Sequence, residues 1–298
     1  MSRRRLAVSL DAVVLAVTDE TPRVLVTEDG DTLPALPSGP LDVDHDATLE
    51  RGLRRYVREQ TELELGYVEQ LYTFGDRDRA PDADQMRRLS VGYLALVHET
   101  AAAPGTRWAD VHEFLPWEDH RDGSPEVVDD LQARLASWAG TDRQRRHRVT
   151  ITFGPPWDGI RALERYELLY GVGLVDERAH DDHRPTSEPD AGQAMRDDHR
   201  RILATAIGRI RGKLTYRPIV FELVAEPFTL LELQRTVEAL SGVGLHKQNF
   251  RRLVLGSGLV EGTGETRQTG AGRPAQLFRY RPEVQLERPR PGLGQPYR

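Results

Sequence analysis

Apolar and polar residues alternate from the start of the chain. Leu6, Val8 and Leu10 interleave with Ala7, Ser9 and Asp11, the period of two that lays a strand's side chains on opposite faces. The pattern predicts a strand over 6–17 and a partner over 23–27, joined by the turn Asp19-Glu20-Thr21-Pro22. The prolines and glycine of LPALPSGPLDVDHD, residues 33–46, argue for a loop without regular structure. Thr48 then stands as the cap of a helix over about 49–61, with Leu49, Leu53 and Val57 on its apolar side. Residues 67–76 and 87–99 read as strands separated by a polar loop, 77–85. Downstream, 125–139 reads as a helix with Pro125 suited to its first turn, and 148–153 as a strand. Residues 157–170 fit an amphipathic helix with Ile160, Leu163, Tyr166, Leu169 and Tyr170 on one side. The stretch 176–197 has no period and much charge, as a mobile linker does. A helix resumes over 198–211, turning Ile202, Leu203, Ala206 and Ile210 inward.

The sequence is most specific over 216–281. Thr229-Leu-Leu-Glu232 is a capping box, in which threonine and glutamate satisfy otherwise unpaired amides at a helix start. The helix it opens carries Leu230, Leu233, Val237 and Leu240 as an apolar stripe. Ser241-Gly242-Val243-Gly244 turns the chain into a second helix, about 245–255, whose Phe250, Leu253 and Val254 share a packing face. The opposite face presents Gln248, Arg251 and Arg252, flanked by Lys247 and Asn249, residue types that read base edges or hold phosphates. Two short strands around a glycine-rich loop follow, with Arg267 and Arg273 near the tip. Together these form the pattern of a helix-turn-helix with a wing. The final residues, 282–298, rich in proline and glycine, suit a disordered tail.

Charge sharpens the division. The chain of 298 residues carries a net −6, but 198–281 holds fourteen Lys and Arg against seven Asp and Glu, leaving 1–197 strongly acidic. A basic module on an acidic one is the asymmetry of a DNA-binding domain joined to something else. The absence of cysteine excludes disulfides, thiolate metal sites and thiol catalysis. Asp11 interrupts the apolar run behind Arg3-Arg4-Arg5, and no stretch is long enough to span a membrane, so the expectation is a cytoplasmic protein. The acids and histidines His180, Asp181, Asp182, His183, Asp197, Asp198 and His199 have metal-ligand chemistry, but their polar setting favours solvated charge, and no metal is expected. Gly208 to Lys213 lacks the spacing of a phosphate loop.

YRPIVFEL, FTLLELQRTVEAL, HKQNFRRLV, GLVEGTGE and GRPAQLFRY resemble the winged-helix half of the Nudix-related transcriptional regulators of NAD metabolism. LERYELLYGVGLV resembles the subgroup found with de novo synthesis genes. The resemblance implies a Nudix-like α/β/α sandwich with a mixed sheet, α/β in class, followed by an α+β winged helix. The corresponding division is 1–142 for the ligand-sensing domain, 143–197 for a connector of strand, helix and linker, 198–281 for the winged helix, and 282–298 for the tail. It also implies a homodimeric repressor on palindromic double-stranded DNA, with no bound cofactor and ADP-ribose or an NAD-related nucleotide as effector.

A working Nudix box gathers carboxylates around magnesium ions that activate water against a pyrophosphate. LPSG at 36–39 and YVEQLYTFGD at 67–76 anchor the comparison. Arg55 and Glu59 remain in the box, but Tyr56 and Gln60 replace two metal-binding carboxylates, Glu62 replaces the usual glycine, and Ala47 stands where the loop acid belongs. This is the sequence of a retired hydrolase with no catalytic residue. By resemblance, Arg55, Glu59, Tyr67, Glu69, Tyr72 and Phe74 contact the effector, although the aromatics also suit plain core. Two alternatives stand beside the repressor: an active magnesium-dependent pyrophosphohydrolase of ADP-ribose or NADH with an accessory DNA-binding domain, and a regulator whose front domain only dimerises.

Overall fold

One long strand, β1 (Leu6–Thr18), organises the front half of the molecule in the computed structural model. The structure describes residues 6–28, 30, 32–76, 87–182, 191–268 and 272–284. β1 pairs antiparallel with β2 (Thr21–Thr27) and with β3 (Ser38–Pro40), and parallel with β5 (Arg87–Leu96). β4 (Tyr67–Phe74) flanks β5 and β6 (Thr106–Asp110) flanks β2, both antiparallel. The result is a mixed sheet ordered β4-β5-β1-β2-β6, with β3 beside the first half of β1.

The period of two in β1 sorts the two cores. Leu10, Ala12, Val14 and Ala16 pack with Leu53 and Val57 of α1 (Leu49–Thr61), whose start Thr48 caps as expected. Val13 and Leu15 point the other way, into the core that holds Ile202, Leu203, Ala206, Ile207 and Ile210 of α7 (His199–Leu214). Each fully buried leucine or isoleucine contributes about 1.5–3 kcal/mol, enough to fix the register of both faces. α1, sheet and α7 are the three layers of the expected α/β/α sandwich.

Several expectations need correction. The helix assigned to the start of the winged-helix domain, α7, lies across the front sheet, because its apolar stripe meets the inward face of β1 and β5. The proline-rich loop contains a strand, β3, since Ser38 to Pro40 can pair with β1 through ladder bonds that proline does not interrupt there. Residues 148–153, expected as a strand, complete α4 (Arg143–Phe153). Its β-branched run loses to an Asp142 cap that accepts from the amides of Gln144 and Arg145. Thr150 and Thr152 satisfy their hydroxyls on carbonyls four residues back, as threonine does inside helices. Ile160, expected inward, sits exposed in a 3-10 turn before α5 (Ala162–Val172). The linker expected over 176–197 begins as α6 (Asp176–Asp181) and returns with Ala191, Ala194 and Met195 buried. Sequence reading also passed over β6 and the short α2 (Val111–Phe114), while α3 (Glu126–Ala139) lies where expected.

The rear domain follows its prediction closely. β7 (Phe228–Thr229), α8 (Leu230–Ser241), α9 (Lys247–Ser257), β8 (Val260–Arg267) and β9 (Ala275–Tyr280) form a winged helix, with the sheet ordered β7-β9-β8. The capping box is complete: Thr229 Oγ1 accepts from the Glu232 amide and Glu232 Oε2 accepts from the Thr229 amide. Residues 1–5, the loop 77–86, the linker segment 183–190, the wing tip 269–271 and the tail 285–298 lie outside the described residues.

Candidate nucleic-acid interface and ligand cavity

Phe250 and Val254 bury one face of α9, which leaves Lys247, Gln248, Arg251 and Arg252 exposed and Asn249 half-buried. Lys247 and Arg251, four residues apart, share a side of the helix. They line a groove of about 730 Å³ between α8, α9 and the wing, and Arg273 enters it from the wing. Lys247, Arg251 and Arg273 are therefore brought together. Arg267 has a different setting: its guanidinium donates to the Glu232 carboxylate at 2.8 Å and to the Pro227 carbonyl at 2.6 Å, bracing the wing against the start of α8.

The charge argument changes in detail. Arg200 and Arg211 of α7 are buried, and Arg201 and Lys213 are held in ion pairs with Glu167 and Glu69. These cations stitch α7 to the front domain, so much of the positive excess of 198–281 faces inward. From 215 to 281 the excess is nine Lys and Arg against six Asp and Glu, and it is concentrated around α9 and the wing.

At the degenerate box, the amide of Gln60 occupies the backbone of Ser38: Nε2 donates to the Ser38 carbonyl at 2.7 Å, and Oε1 accepts the Ser38 amide at 3.0 Å. The ring of Tyr56 lies against Gly39, where a Cβ would fall 2.3 Å from it. Arg55 lies over that ring and binds Asp46 at 2.9 Å and Glu59 at 3.4 Å. The Arg55 hydrogen bond holds the Asp46 carboxyl below its ordinary value. Among the described residues no group of three or more acids and histidines is arranged to hold a metal ion.

The expected effector contacts do not converge. Arg55 and Glu59 lie on the α1 side. Tyr67 and Glu69 belong to the other layer: Tyr67 donates to Glu69 at 2.7 Å, Lys213 binds both, and Arg209 approaches Glu69 at 3.2 Å. Phe74 is core beneath Arg201, and Tyr72 is exposed at the sheet edge.

Where β1, β3 and β5 meet the start of α7, the structure instead forms a polar cavity of about 360 Å³. It is lined by Ser9, Asp11, Ser38, Arg88, Ser90, Arg196, Asp197 and His199. Asp11 is fully buried; its Oδ1 accepts from Ser9 at 2.7 Å, and its Oδ2 has no hydrogen-bond partner. His199 Nδ1 accepts from the Leu36 amide at 2.9 Å, leaving Nε2 to carry the proton, 3.6 Å from Asp11 Oδ1. Arg88 pairs with Asp197 at 2.8 Å, whereas the Arg196 side chain is exposed and makes no ion pair among the described residues. Guanidinium groups beside hydroxyls and a buried carboxyl seeking a donor suit a polyhydroxylated anion. Ser38 places the cavity directly against the box. Sequence reasoning set Asp197 and His199 aside as solvated charge. The signal it missed was Asp11 itself, an acid at an inward position of an apolar strand.

A second buried cluster joins the halves. Glu118, in a 3-10 turn over Pro116–Glu118, accepts from Arg165 at 2.7 and 2.9 Å and from Arg211. Arg211 also donates to the Leu240 carbonyl, at the end of α8, at 3.1 Å. The amide of His120 donates to the Gly242 carbonyl at 2.7 Å, and its ring stacks on Trp157 at 3.7 Å. Burial pushes the Glu118 carboxyl up, but the two guanidinium charges outweigh it and hold it below its ordinary value. The turn of the helix-turn-helix is thus docked on the front domain.

Residues 220–280 match the family model of the NrtR DNA-binding winged helix domain. The chain is 40% identical over 83 residues to the ADPR responsive transcriptional repressor NtrR of Acinetobacter baylyi. That match covers 28% of this chain and about a third (33%) of the length of that repressor. In fold, the chain is similar to Shewanella oneidensis NrtR complexed with a 27mer DNA, at 23% identity and a TM-score of 0.57, over 93% of this chain and 94% of that one. It is also similar to a MutT/nudix family protein from Enterococcus faecalis, at 14% identity and a TM-score of 0.55, over 94% and 88%. The chain therefore joins a Nudix-like α/β/α sandwich to a DNA-binding winged helix of the NrtR type.

Proposed function

We propose that this chain is a ligand-responsive transcriptional repressor of genes for NAD synthesis or salvage, with de novo synthesis favoured. As a homodimer it binds palindromic duplex DNA, and its front domain holds ADP-ribose or an NAD-related nucleotide without hydrolysing it. The observation that carries this reading is the groove in which Lys247, Arg251 and Arg273 converge, with Gln248 and Arg252 exposed beside it. Such side chains supply phosphate and base-edge contacts in the major groove. The polar cavity at Asp11, Arg88, Arg196 and His199 is the effector site that fits best, and the printed role of the A. baylyi relative supports ADP-ribose as its occupant. The lack of catalysis is supported by Gln60, whose amide engages the Ser38 backbone where the box calls for a carboxylate.

The test is a gel-shift titration on the chain's own upstream region and on promoters of NAD synthesis genes, with and without ADP-ribose and NAD. Specific duplex binding that shifts with one of these nucleotides is expected. By linkage, calorimetry must find the same factor applied by DNA to the nucleotide's affinity. Absence of any salt-sensitive duplex binding overturns the repressor. Magnesium-dependent release of AMP from ADP-ribose at about 1 per second or faster overturns the non-catalytic front domain.

A further inference from the structure

α4 is the strongest concentration of positive charge that neither the winged helix nor the cavity uses. Its first six residues, Arg-Gln-Arg-Arg-His-Arg, are all exposed, and the whole helix contains no acid. Arg145 and Arg146 donate to the Trp138 and Gly140 carbonyls and so close the end of α3. The side chains of Arg143 and Arg148 make no hydrogen bond or ion pair among the described residues. Four guanidinium groups at a helix N-terminus repel one another and the positive end of the helix dipole. The one local acid, Asp142, is already engaged by two amides. Within the chain this arrangement is electrostatically unfavourable, and a polyanion relieves it.

The position of α4 identifies the polyanion. Arg165 donates to the Thr152 carbonyl in the last turn of α4 and to Glu118, while Arg211 joins Glu118 to the Leu240 carbonyl at the end of α8. Phe153 packs on Trp157, Trp157 stacks on His120, and His120 holds the Gly242 carbonyl of the turn before α9. The basic helix is therefore held rigidly next to the helix-turn-helix, and at ~1.5 Å per residue its charged half lies within a few turns of it.

We infer that α4 is a second DNA contact, a phosphate clamp in which Arg143 and Arg148 hold the duplex backbone beyond the stretch covered by α9 and the wing. This rests on the duplex-binding reading above. The contact is sequence-independent: it adds to affinity and to salt dependence, and it leaves base discrimination to α9.

The experiment compares the full chain with R143Q/R148Q, R143K/R148K and R251A on labelled duplexes of about 40 base pairs, long enough to extend past two half-sites one helical turn apart. One duplex carries the upstream region and one a scrambled sequence. For R143Q/R148Q the slope of log affinity against log salt should become shallower by about 2, close to 0.9 per phosphate lost. The ratio between the two duplexes should stay at the wild-type value, and hydroxyl-radical protection should shorten at its outer edges. R143K/R148K, which keeps the charge, should restore slope and footprint. The inference is overturned if R143Q/R148Q keeps the wild-type slope and footprint while R251A weakens binding. If the wild-type chain binds neither duplex, the underlying reading fails as well, and the two failures are told apart by that control.

Discussion

Single residues decide how the front domain is wired. Asp119 receives Arg121 at 2.7 Å, with His112 nearby. Burial pushes its carboxyl up, but the Arg121 hydrogen bond and the neighbouring charges outweigh that and bring it down to about 2, from 3.8 in the unfolded chain. Because the folded value is the lower one, the stabilisation is complete above pH 3.8 and is lost as pH falls towards about 2. Thermal unfolding of D119N should therefore lose less stability than wild type across that window, while lying below it at neutral pH. Equal pH slopes would remove the assignment. The same scale shows where the sequence was hard to read. The chemistry of Asp11 and His199 comes from contacts 188 positions apart in the chain, Asp11 against His199 at 3.6 Å, and no local pattern encodes them. Gln60 was legible as a missing carboxylate, but its engagement of Ser38 required the fold.

Elements were legible wherever period and capping agreed. α1, α3, α8 and α9 each combine an apolar stripe with a cap or turn signal, and all four lie where the sequence placed them. α4 did not, because its alternating Val149, Ile151 and Phe153 mimic a strand while its cap lies upstream of them at Asp142. α7 was found as a helix but placed in the wrong layer, since an apolar stripe does not state which surface it covers. The turn between α8 and α9 was read correctly, and Gly242 shows why glycine stands there. Its φ is 70°, and a Cβ would fall 2.3 Å from the Glu118 carbonyl oxygen. G242A should cost more than about 1–2 kcal/mol, beyond the left-handed penalty alone. It should also lower duplex affinity by displacing α9 from the front domain. Urea unfolding and anisotropy on the same samples check both effects, and a variant as stable as wild type would show that the contact is slack.

At the scale of the molecule, the expected connector is not where the halves communicate. They meet through α7, which packs on the sheet with one side and reaches α8 through Arg211. The effector cavity opens at the start of this helix, at His199, and Glu118 holds it near its end, at Arg211. A ligand that displaces the start of α7 thus acts on a rigid lever whose far end carries the recognition turn. E118Q removes the charge that two buried guanidinium groups share, a loss of about 3–5 kcal/mol for buried pairs of this kind. Wild type should unfold in urea as one transition seen alike by tryptophan fluorescence and by DNA binding. In E118Q the two probes should separate, with DNA binding lost first. Coincident curves in the variant would place the coupling elsewhere.

The docking of the recognition turn also bears on how such a protein changes over generations. The Leu240 and Gly242 carbonyls find their donors in Arg211 and in the His120 amide, outside the winged helix itself. A winged helix transplanted onto another sensor would arrive with those groups unsatisfied and with a glycine fitted to a surface no longer there. The rear module is therefore not a free cassette. Its DNA preference can drift through α9 and the wing, but its partnership with the front domain is inherited as one piece.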